Sequence, residues 1–329
     1  QVLSWEGALK QGMGGMSAMR HTLWIVIFVT AATALLVAGA GGLGSGVASA
    51  EPVVVLDMDD PAGDDYGPGT YVYPTHKAFV PGLFDLRHFK VSYDPEYVYF
   101  DATFQEVTNP WNAPEGFSHQ LMNIYIDTTR GTGRTDTLKP GALVAFDRKH
   151  GWDLFIKALG WGGCRAFTSQ DTAETRGIAD GLSASVLTDG KTIRVAVPRA
   201  AIGEPDRGWG YYVLVGSQDA FGDDDFRPVM EKAGSWVFGG GSDLDVDPNV
   251  IDMLAVPRGR YSQERLLGAY NVAKGSLAVL MPVSGGAAGH VAFLPARPAA
   301  VALVAVLLLG GAGVVWWVRR KRPTAPPRS

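Results

Sequence analysis

Over residues 51–272 the sequence predicts an all-β domain, a two-sheet antiparallel β-sandwich of jelly-roll-like character, with an N-terminal signal helix before it and a C-terminal transmembrane helix after it. Three observations carry that reading: short apolar runs with period-two alternation, turn-forming residues between them, and a long uncharged span on either side. The runs fall at residues 53–57, 84–93, 97–104, 121–127, 142–146, 152–159, 183–187, 192–197 and 210–217. The third is the clearest, with Val98, Phe100, Ala102 and Phe104 on one face and Tyr97, Tyr99, Asp101 and Thr103 on the other. Asp94-Pro95, Asn109-Pro110, 131–133, Asp189-Gly190 and 206–208 punctuate them, and Asp189-Gly190 is the strongest hairpin signal. Helical periodicity is nearly absent, and many short strands with regular turns imply two packed sheets. No internal repeat is visible.

The flanking spans set the expected topology. Residues 22–47 succeed a basic flank at Arg20 and His21 and run into Ala48-Ser49-Ala50, an A-x-A-like cleavage site that makes Glu51 the mature N-terminus. Such a span is either removed or kept as an anchor; in both cases the chain beyond Ala50 is translocated. Residues 1–18 precede that flank, with Met19 the natural start, so 1–50 reads as leader and signal peptide. Residues 299–318 carry no charge and at ~1.5 Å per residue match a ~30 Å hydrocarbon core. Trp316 and Trp317 sit at an interfacial level, and Arg319-Arg320-Lys321-Arg322 keep the tail 319–329 cytoplasmic. Residues 273–298, rich in Gly, Ala, Val and Pro, read as a linker, although 277–283 has the composition of one more strand. The expected placement is a single-pass protein of the cell membrane with its domain outside.

Charge and cysteine content narrow the function. Between Glu51 and Ala296 there are 32 Asp and Glu against 21 Lys and Arg, whereas the whole chain has a net charge of only −4. So acidic a surface argues against nucleic acid, whose phosphates need clustered Lys and Arg, and favours cations or neutral ligands. Cys164 is the single cysteine, so no intrachain disulfide forms; it reads as a small buried hydrophobe.

The densest acidic segment places Asp57, Asp59, Asp60, Asp64 and Asp65 within nine residues on a Gly- and Pro-rich stretch. Like charges at that spacing either surround a cation such as Ca²⁺, which takes oxygen ligands from flexible loops, or stand solvated as turn acceptors. The EF-hand frame is missing. Two other clusters compete: Asp223-Asp224-Asp225, and Asp243, Asp245 and Asp247, where Pro248 and Leu254 occupy the places a calcium loop gives to Gly and Glu.

From Asp60 the segment D-P-A-G-D-D-Y-G-P-G-T-Y-V-Y-P-T resembles the opening of the glucodextranase C-terminal-like domain family, β-sandwich modules of cell-surface glycoside hydrolases. The likeness continues through Phe84-Asp85-Leu86, Asn109-Pro110-Trp111-Asn112, Gly116-Phe117-Ser118, Ile124-Tyr125-Ile126-Asp127, the Trp236 to Gly241 stretch and the Pro248 to Asp252 stretch. The resemblance implies a non-catalytic module that binds carbohydrate or supports surface attachment, since catalysis in multidomain relatives belongs to a separate domain. It also implies calcium at Asp59, Asp60, Asp64 and Asp65, with Asp127 as a distant ligand. Expected partners are a polysaccharide or oligosaccharide, α-glucan-like, and a surface glycoside hydrolase or sugar-uptake protein.

Sugar binding needs flat aromatic faces edged by polar groups. Trp111, on a Pro/Asn loop, and Trp161, between glycines, are the expected exposed faces, with Tyr71 and Tyr73 as further candidates; Trp209 is another large aromatic. Trp152 and Trp236 lie in strand-like runs, where the core is the default. A glycoside hydrolase needs a carboxylate pair in a cleft, and no pair is singled out by spacing. G-x-S-x-G, H-E-x-x-H and Walker motifs are absent, and His76, His88, His119, His150 and His290 lack metal spacing. A haem domain would draw on His76, His88, Met58 or Met122, without a C-x-x-C-H attachment site. The expected function is therefore a calcium-stabilised, membrane-anchored binding module, the alternatives being a structural cell-envelope protein, a DOMON-like haem domain or a glycoside hydrolase.

Overall fold

A computed structural model describes residues 51–285. The spans expected as signal and transmembrane helices, 22–47 and 299–318, lie outside them. Among the described residues no helix is long and apolar enough to cross a membrane.

Among the described residues thirteen strands form in chain order: β1 (Val53–Asp59), β2 (Leu86–Tyr93), β3 (Tyr97–Phe104), β4 (Gln120–Asp127), β5 (Val144–Phe146), β6 (Leu154–Leu159), β7 (Arg165–Thr168), β8 (Ser183–Val186), β9 (Thr192–Pro198), β10 (Gly210–Ser217), β11 (Asp252–Met253), β12 (Ala278–Leu280) and β13 (Val283–Ser284). Among the described residues two short α-helices join them, α1 (Arg199–Ile202) and α2 (Gln263–Leu267). One sheet has the order β1-β2-β3-β9-β8 and the other β11-β10-β4-β6-β7, with β13 also on β10; all pairings within them are antiparallel. The Asp189-Gly190 turn joins β8 to β9, as its sequence predicts.

The two sheets face each other across a shared core. Phe89, Phe100 and Val195 meet Ile124, Ile156 and Val213 in one cluster. The outer face of the first sheet is largely solvated, and β3 keeps its alternation except at Asp101, which is buried and ion-paired with Arg194 at 2.7 Å. The second sheet is not solvated in this way: every residue of β4 and β10 is buried. A second cluster lies on its far face, where Tyr125, Phe155 and Tyr212 are covered by Phe146, Trp152, Leu267 and Leu280. This layer comes from the segments after β4 and after β10, which period-two patterning does not detect because a strand covered on both faces needs no polar alternation.

The expected linker from 273 therefore begins too early. Residues 277–283 supply two strands, β12 running parallel to β5 and β13 pairing with Gly210 and Tyr211 at the start of β10. Leu280 and Val283 are buried in the two clusters, so apolar burial fastens this segment to the body.

Candidate functional site

The acidic opening folds back onto the second sheet. Just after β1, Asp60 is buried and its Oδ1 accepts the Ala255 amide at 2.8 Å. Asp252, on β11, is fully buried; its Oδ2 accepts from Leu86 N and its Oδ1 from Met253 N, both at 2.7 Å. Asp64 completes a group of three in which one carboxylate oxygen from each lies within 4.8 Å of the others. From α2, Gln263 accepts the Met253 amide at 2.7 Å and donates to the Asp64 and Gly67 carbonyls. Gly67 is obligatory: its φ is +57°, and a Cβ there would sit 2.3 Å from the Tyr71 ring. Asp85 tightens the same loop by accepting from Gly63 N at 3.1 Å.

Burial dominates the electrostatics of this group. Desolvation drives Asp60 well above the usual carboxylate range, opposed by the Ala255 amide and assisted by Asp64. Asp252 rises well above it through burial and then through the charges of Asp60 and Asp64, and burial first takes Asp64 up to about 6. Two oxygens, Asp60 Oδ2 and Asp64 Oδ1, are buried with no hydrogen-bond partner. An all-oxygen donor set with unpaired carboxylate oxygens fits a hard divalent cation of the Ca²⁺ type, which Asp60, Asp64 and Asp252 would hold.

Of the five expected ligands, the structure brings together only Asp60 and Asp64. Asp59 projects into solvent, where it and Asp57 flank the two His88 nitrogens at 2.8 and 3.2 Å. Asp65 turns to the Tyr73 hydroxyl. Asp127 pairs with His150 at 2.9 Å. It lies beside Gly210, whereas Asp252 lies beside Val215, which at ~3.4 Å per residue is roughly 17 Å along β10. Asp252 escapes spacing arguments because it is remote in sequence, but a carboxylate inside the apolar run Val250-Ile251-Asp252-Met253-Leu254 is itself a signal of a buried, partnered charge.

The competing acidic clusters are otherwise engaged. Asp224 and Asp225 grip the Lys157 ammonium at 2.6 and 2.7 Å, and Asp247 accepts from Ser242 within its own loop. The side chains considered as haem ligands do not converge: Met122 is in the inter-sheet core, His88 bridges two aspartates, and His76 stacks on Trp236.

A second feature is an aromatic face. Asn109 clamps the Trp111 loop, exchanging bonds with Ala113 N and O at 2.7 and 2.9 Å, and leaves Trp111 exposed. Trp111 lies 6.2 Å from Trp236, which is also exposed and stacks on His76 with centroids 4.0 Å apart. Behind them Phe79 and the buried His119 support both rings. Trp161 stands nearby: a Cβ at Gly160 would sit 1.6 Å from the Phe117 carbonyl, and this close approach brings the Trp161 indole N–H to within 3.2 Å of the Ser118 carbonyl. Arg227 ties the parts together, lying 5.3 Å over Phe79 and donating to Trp236 O at 2.6 Å and Asp219 Oδ2 at 2.8 Å.

Trp111 and Trp161 are thus exposed as the sequence predicts. Tyr71 and Tyr73 are not ligand faces. Tyr71 is buried with its hydroxyl on the Pro248 carbonyl at 2.6 Å, and Tyr73 packs between Phe84 and Phe238. Trp236 was hidden by its setting in a strand-like run that forms only isolated bridges in the fold, at Phe238 and Gly239.

Residues 55–282 match the family described as the C-terminal, SLH-like binding module of glucodextranase. No curated protein matches the chain.

Proposed function

The chain belongs to the family of C-terminal binding modules of glucodextranase, and from that premise we propose that it is a non-catalytic module that binds polysaccharide or oligosaccharide on the Trp111–Trp236 face. The single observation behind this reading is the pair of exposed indoles 6.2 Å apart, fixed from beneath by Phe79, His119 and the Asn109 clamp. Preformed aromatic surface offers apolar area to the C–H face of a pyranose without a further ordering cost, and the polar edges of the rings serve its hydroxyls. A divalent cation at Asp60, Asp64 and Asp252 would neutralise the buried carboxylates and lock the 60–67 loop against β11 and α2.

Export through residues 22–47 and a membrane tether through residues 299–318 complete the proposal, placing the module outside the cell where it presents a captured glycan to a surface hydrolase or uptake protein. Affinity electrophoresis of the full chain in gels cast with α-glucan tests the binding. Retardation that disappears in Trp111→Ala/Trp236→Ala supports it; unretarded wild-type protein against a panel of neutral and acidic polysaccharides overturns it. Protease protection in intact cells tests the topology, an accessible β-domain being the expected result.

A further inference from the structure

Beside Trp161 opens a cleft of about 870 Å³. Five cations and three carboxylates line it. Asp224 and Asp225 bind Lys157, Asp224 also interacts with Lys139, and Asp219 binds Arg227. Arg165 and Arg176 remain. Arg165 spends one N–H on the Cys164 carbonyl at 2.8 Å, and Arg176 is exposed with no carboxylate partner among the described residues. Two guanidinium groups outside any ion pair among the described residues are conspicuous on a domain with 32 acidic and 21 basic residues, although the Glu115 carboxylate lies on the Gly162 side of the cleft.

The remaining wall is aromatic. Trp161 is exposed at the cleft rim, and Phe221 is 100% exposed at the tip of a loop held by Asp219, whose Oδ1 accepts from Phe221 N at 3.1 Å. A fully solvated phenylalanine costs solvation free energy that a covering ligand would recover. Arg227 lines this cleft and also carries the Trp236 carbonyl, so the cleft and the indole pair share one scaffold.

We propose that this cleft is an acidic-sugar subsite: Trp161 and Phe221 stack on the ring, and Arg165 and Arg176 take its oxyanion. Guanidinium forks match planar carboxylates and sulfate oxygens alike, so the ligand class is a saccharide bearing a uronate or a sulfate ester. The inference rests on the proposed glycan-binding function and narrows it. A rival basic patch, Arg258, Arg260 and Arg265, is interleaved with Glu264 and has Arg260 stacked over Tyr261 at 4.3 Å, leaving no exposed indole or phenyl face beside it.

Isothermal titration of the full chain in detergent with maltotriose, trigalacturonate and sulfated maltotriose decides the matter. Either acidic trisaccharide is expected to bind about tenfold more tightly than maltotriose at low salt, with the advantage shrinking as ionic strength rises; which of the two prefers the site identifies the oxyanion. Arg165→Gln/Arg176→Gln should abolish the preference and leave maltotriose affinity intact, while Arg258→Gln/Arg260→Gln changes neither. Equal affinity for neutral and acidic sugars, or a preference that survives in the first double variant or is lost in the second, overturns the subsite but leaves the glycan-binding function standing. Binding of none of the three overturns both. Arg176→Gln alone, at an exposed unpartnered position, guards against a folding defect and should lose part of the preference.

Discussion

The His76 imidazole stacks on the Trp236 indole, with centroids 4.0 Å apart and planes inclined by 25°. The far face of Trp236 is thereby left as the exposed one, next to Trp111. Replacing either indole by alanine removes a stacking surface without opening the inter-sheet core, because both side chains are exposed. Each single variant should weaken α-glucan retardation at least tenfold, about 1.4 kcal/mol, with only a modest fall in melting temperature from the lost contacts to Phe79, His76 and His119. Loss of retardation together with a collapsed melting temperature would instead mark these rings as structural.

Tyr71 and Tyr73 should behave in the opposite way. Tyr71→Phe strands the Pro248 carbonyl in a buried setting and should cost about 1–3 kcal/mol in denaturant unfolding. Tyr73→Phe frees Asp65 from its hydroxyl partner with a similar penalty. Neither substitution should alter retardation by more than twofold. A selective loss of sugar binding in either would return these tyrosines to the ligand face.

Local chemistry made much of this fold legible. The β3 alternation and the Asp189-Gly190 hairpin come directly from residue pattern, and Trp111 and Trp161 stand out because Pro, Asn and Gly neighbours keep them off the strands. The features that resisted reading are long-range. The double burial of β4 erases its period, so the outer layer built from 137–146, 250–267 and 278–280 has no signature in the strand it covers. Asp252 joins Asp60 and Asp64 only because β11 pairs with Met253 opposite Leu214 and so brings Asp252 beside the start of β2. Proximity in sequence nominated Asp59 and Asp65 instead, but strand alternation points Asp59 to solvent beside His88, and Tyr73 captures Asp65.

Asp60→Asn separates cation binding from carboxylate repulsion. An amide at 60 keeps an acceptor for Ala255 N and places a donor where Oδ2 has no partner and faces Asp64 and Asp252. In chelator the variant should therefore melt above the wild type. With calcium at about a hundred times its dissociation constant the wild type should gain about 2.7 kcal/mol, or roughly 5–10 °C, and the variant should gain little. Differential scanning calorimetry with and without EDTA reads both effects. A wild-type melting temperature indifferent to chelator and to added calcium would remove the cation from the site.

His119 supplies the pH dependence. It is buried against Trp111 and Phe79, and desolvation, reinforced by the positive charge of Arg227, lowers it from 6.5 to about 4. Its imidazole is neutral in the fold at pH 7, while the unfolded chain takes up a proton below about 6.5. Because the folded value is the lower one, the contribution to stability is complete above 6.5 and disappears as pH falls through 4. The full effect is on the order of 3 kcal/mol at about 1.4 kcal/mol per pH unit. His119→Gln cannot take up that proton, so the difference between wild type and variant isolates this group from the buried carboxylates, whose raised values act in the opposite direction over the same range. From pH 7 to pH 4.5 the wild type should lose stability relative to His119→Gln, whereas native-state tryptophan emission should change only near pH 4, where His119 protonates in the fold. Parallel stability profiles for the two proteins would show that His119 titrates as it does in water.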